Sequence, residues 1–167
     1  MKDNYNKKIA PFSFDKINNV NIPVNINVSM SVIDIIKIAE VDHTYTLKYR
    51  LILEWYDYRI KYFNLKGTRS QNALALQDVQ RLWIPFLVFD NTEKNEATKG
   101  TEDTELTLMR EGDFVGSDDD NVEEIKFFDG QFNRITFEQV YTKTFKCTYQ
   151  LQLYPFDTQV RQRKPAT

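Results

Sequence analysis

The 167 residues carry 22 Lys and Arg against 24 Asp and Glu, a formal net charge of -2, so the chain has no electrostatic footprint that would recruit nucleic acid. One cysteine and one histidine leave no internal disulfide and no cysteine-rich or multi-histidine metal site, so neither a metal nor a cofactor is expected. The length suits one domain, no apolar run reaches the roughly 20 residues of a membrane-spanning helix, and Met1 to Lys8 is too polar for a signal peptide.

In chain order the elements read as strands. Residues 1–21 form a polar N-terminal segment. From Ile22 the apolar residues alternate as Ile22, Val24, Ile26, Val28, Met30 and Val32, with Asn25, Asn27, Ser29 and Ser31 between them, which predicts a half-buried strand with a polar outer face. A second run sets Tyr45, Leu47, Tyr49, Leu51, Leu53 and Trp55 against Thr44, Thr46, Lys48, Arg50, Ile52 and Glu54. Glu40, Val41, Asp42 and His43 make the hairpin connection between the two. Gly67 to Asn72 reads as a loop. Leu82 to Phe89 reads as a compact apolar strand in which Pro85 marks a start, an edge or a bulge.

Polarity then rises from Thr92 to Asp120, with Leu106 to Met109 as a short strand and Gly112 to Asn121 as a loop. Phe127 to Gly130 ends a further strand in a turn, and Phe137 to Leu153 supplies one or two long final strands. Short strands separated by turns predict an all-β chain built as a β-sandwich. Trp55 and Trp83 are expected in its core, and Asp57 as the cap of a turn.

Few residues carry chemistry. The run Ser117 to Glu124 lacks the spacing of a calcium loop and reads as a hydrated acidic loop. His43 lies in the hairpin with no evident serine or cysteine partner, no glycine-rich phosphate loop occurs, and no enzyme activity is expected. Asn27-Val28-Ser29 is a glycosylation sequon, meaningful on the secretory path. Cys147 taken alone reads as a small, buried free thiol. Tyr154-Pro155-Phe156 fits a tight turn, because an X-Pro bond adopts cis far more readily than other peptide bonds.

The order of these pieces says more than any one of them. Cys147 followed by Tyr154-Pro155-Phe156-Asp157 and Gln159 resembles the signature loop of the pentameric ligand-gated ion channels, the Cys-loop receptors. In that family a second cysteine closes the loop; Arg161 holds its place here, and the sequence stops at Thr167. The resemblance extends to the first two strands ending in Trp55-Tyr56-Asp57, to Trp83-Ile84-Pro85 with Asn91 after it, and to Tyr141 through Cys147, covering Val24 to Gln159.

The resemblance implies an immunoglobulin-like β-sandwich, the ligand-binding domain of a neurotransmitter-gated channel, over residues 22–160. It would be incomplete at its C-terminal end and followed by a divergent tail, residues 161–167. It implies homologous subunits of a pentamer as partners, a small neurotransmitter-like ligand bound between them, and a place on the extracellular side of the plasma membrane. The family's complementary-face aromatic aligns with Arg50, its same-face neighbour with Ile52, and the first principal-face position with Asp90. Arg50 reads either as a solvated side chain or as a guanidinium suited to a ligand carboxylate. Glu40, Val41, Asp42 and His43, with Tyr154, Pro155, Phe156 and Asp157, match the end that couples binding to the pore. Two other readings are a soluble non-channel isoform that binds or modulates partner subunits, and an unrelated β-sandwich binding module.

Overall fold

The computed structural model describes residues 5–15, 20–92, 102–112 and 126–147. Their elements run β1 (Phe12–Asp15), β2 (Val20–Pro23), β3 (Asn27–Ala39), β4 (Thr44–Trp55), β5 (Lys61–Phe63), a 3-10 turn (Arg69–Asn72), the short helix α1 (Leu76–Val79), β6 (Glu102–Met109), β7 (Phe127–Asp129) and β8 (Arg134–Lys146). An antiparallel sheet in the order β3-β4-β8-β6 dominates, and β1-β2 and β5-β7 form two small antiparallel ribbons.

Side-chain alternation in β4 divides that sheet into two faces. Tyr49, Leu51, Leu53 and Trp55 are buried, as the alternation predicts. Across the pairing, Tyr49 meets Tyr141, Leu53 meets Phe137 and Trp55 meets Ile135, so β8 adds its own buried apolar set to the same face. Leu106 and Leu108 of β6 extend it, and Trp83 stands edge-on to Trp55 with ring centroids 5.9 Å apart.

Several expected elements come out differently. The predicted strand from Ile22 divides in two, with β2 ending at Pro23, whose ring removes a backbone donor, and β3 starting at Asn27. Nor is β3 half-buried: Val28 is 62% exposed and Ile35 51%. The reason is position, since β3 is an outer strand and no second layer covers its apolar side among the described residues. Register shifts at Val32/Asp34 and Ile35/Lys37 also leave Ile33 and Ile36 out of the pairing, as bulges do.

Leu82 to Phe89 is not a strand. It is an extended segment laid over the core, with Trp83, Ile84, Leu87 and Phe89 packed inward and Phe86 and Val88 exposed; a proline at its centre suits a segment without a ladder. The loop at 67–72 contains the 3-10 turn, and β8 begins at Arg134, ahead of its predicted start. Leu151 and Leu153 lie outside the described residues.

Among the described residues the β6 edge is closed by the 66–74 segment, which is not a strand. Leu74 N donates to Leu106 O at 2.9 Å, and the Asn72 amide donates to Leu108 O at 3.1 Å and Lys66 O at 3.0 Å while accepting from Lys66 N at 2.8 Å. Buried Asn72 thereby satisfies the carbonyl edge that an outer strand exposes.

Asp57 does more than cap a turn. Fully buried, its carboxylate accepts from Arg59 Nε (2.8 Å) and Nη2 (2.7 Å), from the Arg59 backbone N–H (3.1 Å) and from Tyr5 Oη (3.1 Å). Arg59 Nη1 reaches Ile9 O at 2.7 Å, and Trp83 N donates to Tyr5 Oη at 2.9 Å. One ion pair therefore fastens the N-terminal segment to the turn after β4 and to the start of the 82–92 segment. Gly130 is required beside it, because a Cβ there would collide with Asp57 O and lie 2.8 Å from Ile60 O.

Candidate functional site

Arg50 lies on the sheet face opposite the core, where period-2 alternation places it with Ile52 and Glu54. In register Arg50 faces Val140 and Ile52 faces Glu138, which makes Arg50 and Glu138 diagonal neighbours on one face. Arg50 Nε lies 3.0 Å from Glu138 Oε1, and Arg69 Nη2 lies 3.1 Å from Glu138 Oε2. Arg69 Nε donates to Thr107 Oγ1 at 2.7 Å, which anchors the 3-10 turn over β6. Glu105 stands opposite Glu138 in the β6-β8 register, a like-charge pairing that the two guanidinium groups offset. The Arg50 side chain remains 47% exposed, so its guanidinium is held on one side and open to solvent on the other.

Asp90 is exposed, whereas Phe89 turns into the core and sits edge-on to Tyr49 (6.0 Å) and Tyr141 (5.7 Å). The aromatic at this place in the segment thus serves packing, and a carboxylate takes the outward position. Ile52 is half-buried beside Arg50. Among the described residues Arg50 forms its ion pair with Glu138.

Of the elements expected to couple binding to the pore, the Glu40–His43 hairpin is described, and it lies beside the end of β8. Glu40–His43 is a hairpin turn with His43 N donating to Glu40 O at 3.2 Å and His43 in the left-handed region at φ 52°. Val41 is 92% exposed at its tip, and Asp42 is exposed beside it. Cys147 N donates to His43 O at 2.8 Å, and its thiol is free and half-buried. Lys146, the preceding residue, bonds to Asn91. Two consecutive residues at the end of β8 therefore join the hairpin to the segment that carries Asp90. Tyr154, Pro155, Phe156, Asp157 and the acidic run 117–124 lie outside the described residues.

Sequence reading did not find Glu138, Arg69 or the Asn91 contact. Glu138 was within reach, as a charged residue between Phe137 and Gln139 that had to lie on the outward face with Arg50. Arg69 has no such signal, since it comes from an aperiodic loop. Among the described residues no grouping of His, Cys, Asp and Glu could hold a metal ion, and no helix is long and apolar enough to cross a membrane.

The described residues form a mostly antiparallel β chain, consistent with a β-sandwich. The chain belongs to the neurotransmitter-gated ion-channel ligand-binding domain family, whose sequence profile matches residues 1–161. It is accordingly a ligand-binding domain and not an enzyme, and the reading as an unrelated β-sandwich falls away. A search of curated protein sequences finds no match.

Proposed function

We propose that the chain is the extracellular ligand-binding domain of a plasma-membrane channel subunit, that it assembles with homologous subunits into a pentamer, and that it takes a carboxylate-bearing transmitter at the subunit interface. The observation carrying this reading is the Arg50 guanidinium, half-exposed on the outward face at the position aligned with the family's complementary-face aromatic, and steadied by Glu138. A guanidinium binds a carboxylate through paired, charge-assisted hydrogen bonds, a recognition that no aromatic box supplies. A ligand carboxylate would share or take over the contact now made by Glu138. Displacement near Asp90 would then pass through Asn91 and Lys146 to Cys147 and the Glu40–His43 hairpin, the end that faces the pore in the complete channel.

The test joins this domain to the pore of a neurotransmitter-gated channel, expresses the chimera in oocytes and records currents. Amino-acid transmitters such as glutamate, glycine or γ-aminobutyrate are expected to open it, and Arg50→Ala to weaken the response about tenfold or more with surface expression intact. A chimera that reaches the surface and answers only quaternary ammonium ligands, or is indifferent to Arg50→Ala, would overturn the carboxylate reading.

A further inference from the structure

We propose that Asn27 carries an N-linked glycan that bounds the outward face holding Arg50 and Glu138. Asn27-Val28-Ser29 is the one Asn-X-Ser/Thr sequence among the 167 residues, and its middle residue is not proline. The fold places it well. Asn27 is the first residue of β3, the strand at the end of the four-stranded sheet, and both Asn27 and Ser29 are exposed.

The register settles which way the sequon faces. Asn27 pairs with Glu54 and Ser29 with Ile52, both outward-facing positions of β4, while Val28 pairs with the buried Leu53 and so points to the other face. Acceptor and hydroxyl residues thus share the polar face, and Asn27 is exposed at the start of an outer strand of the described sheet. Ser31 pairs with Arg50. Four residues at about 3.3 Å each put Asn27 roughly 13 Å along the strand from that rung, far enough to leave the guanidinium open and near enough for a glycan to limit how a neighbouring molecule approaches.

The transfer is chemically complete with one co-reactant, a lipid diphosphate-linked oligosaccharide. A bond forms between Asn27 Nδ2 and the anomeric carbon of the first N-acetylglucosamine. The bond from that carbon to the diphosphate oxygen breaks, the lipid diphosphate leaves, and the amide gives up one proton. The inference rests on the extracellular reading, because only a chain that enters the secretory lumen meets this donor.

The experiment places the full chain behind a cleavable signal sequence in cultured animal cells and collects both lumenal and secreted protein. Expected is a single mobility shift, removed by peptide N-glycosidase with conversion of Asn27 to aspartate on peptide mapping. Asn27→Gln and Ser29→Ala should both abolish the shift and Ser29→Thr should keep it. A lumenal chain without the shift, or a shift that survives Asn27→Gln, overturns the proposal. Because the signal sequence delivers the chain whatever its native route, an unglycosylated chain leaves the ligand-gating reading intact, and an unresponsive chimera leaves the glycan intact.

Discussion

Asn91 and Lys146 clasp each other, with Lys146 N donating to Asn91 O at 3.0 Å and Asn91 Nδ2 donating to Lys146 O at 2.7 Å. The side-chain half of that clasp is removable on its own. Asn91→Ala should lower stability by about 1 kcal/mol, the net worth of an ordinary hydrogen bond, and shift the melting temperature by roughly 2–4 °C. Amide exchange at Lys146 and Cys147 should quicken several-fold at the same time. Exchange that stays at the wild-type rate would show that the β8 end is held without Asn91, and the route from Asp90 to the hairpin would lose its middle step.

A ligand carboxylate bound at Arg50, as proposed, would compete with Glu138 for the same guanidinium, so the two are expected to trade off. Glu138→Gln keeps the shape of the side chain and removes its charge, which should raise the apparent affinity of the chimera for a carboxylate transmitter several-fold. As a partly exposed pair, Arg50 and Glu138 contribute at most about 1 kcal/mol to folding, so the melting temperature should barely move. In Arg50→Ala the Glu138→Gln effect should vanish. Equal effects of Glu138→Gln with and without Arg50 would place Glu138 outside the ligand contact.

The sheet was legible where its side chains obey a strict two-residue period. Tyr49 to Trp55 read directly as a buried face, and Phe127 to Gly130 as a strand entering a turn, because each residue's environment follows from its neighbours in sequence. Burial of β3 was not legible, since Val28, Met30 and Val32 alternate like core residues and only the sheet order shows that nothing described lies over them. The candidate site divides the same way. The position of Arg50 follows from alternation along β4, whereas its partners come from β8 and an aperiodic loop whose approach depends on the tertiary fold.

The pair Asp57 and Arg59 should be the most sensitive point in the chain. Asp57→Asn leaves a guanidinium with 14% side-chain exposure facing a neutral amide, and losing one partner of a buried ion pair costs about 3–5 kcal/mol. Tyr5→Phe removes only the hydroxyl between Asp57 and Trp83 and should cost about 1 kcal/mol. Denaturant midpoints in this order would support the pair as the anchor. A cost for Asp57→Asn no greater than that of Tyr5→Phe would show that the N-terminal segment is held chiefly by other contacts.

The apolar side of β3 predicts self-association of the isolated chain. Val32 and Ile35 pair with Tyr49 and Leu47, and so belong to the core-side face while remaining about half exposed. The double variant Val32→Thr and Ile35→Thr should reduce light scattering at high concentration and change the unfolding midpoint little. A loss above about 2 kcal/mol would mean instead that this face is covered in solution, because only buried methyl groups carry such a cost.

Alkaline pH should unfold the domain by ionising buried tyrosines. Burial is the main force on Tyr5, with Asp57 adding to it and the Trp83 N–H opposing it, and the phenol is pushed up to about 12. Tyr49, Tyr62 and Tyr141 are likewise raised, each chiefly by burial. An unfolded tyrosine ionises near pH 10, so the folded chain holds these protons more tightly than the unfolded chain does. The associated stability is complete below about pH 10 and falls as pH rises toward about 12, the unfolded state binding fewer protons throughout that window. Denaturant midpoints taken from about pH 8 to about pH 12 should be flat at first and then decline. Tyr49→Phe gives the control, because its buried hydroxyl has no hydrogen-bond partner among the described residues. That variant should match or exceed the parent at neutral pH and lose stability less steeply above pH 10. A midpoint that holds steady to about pH 12, or a parent and variant that decline together, would show that the buried phenols do not govern alkaline unfolding.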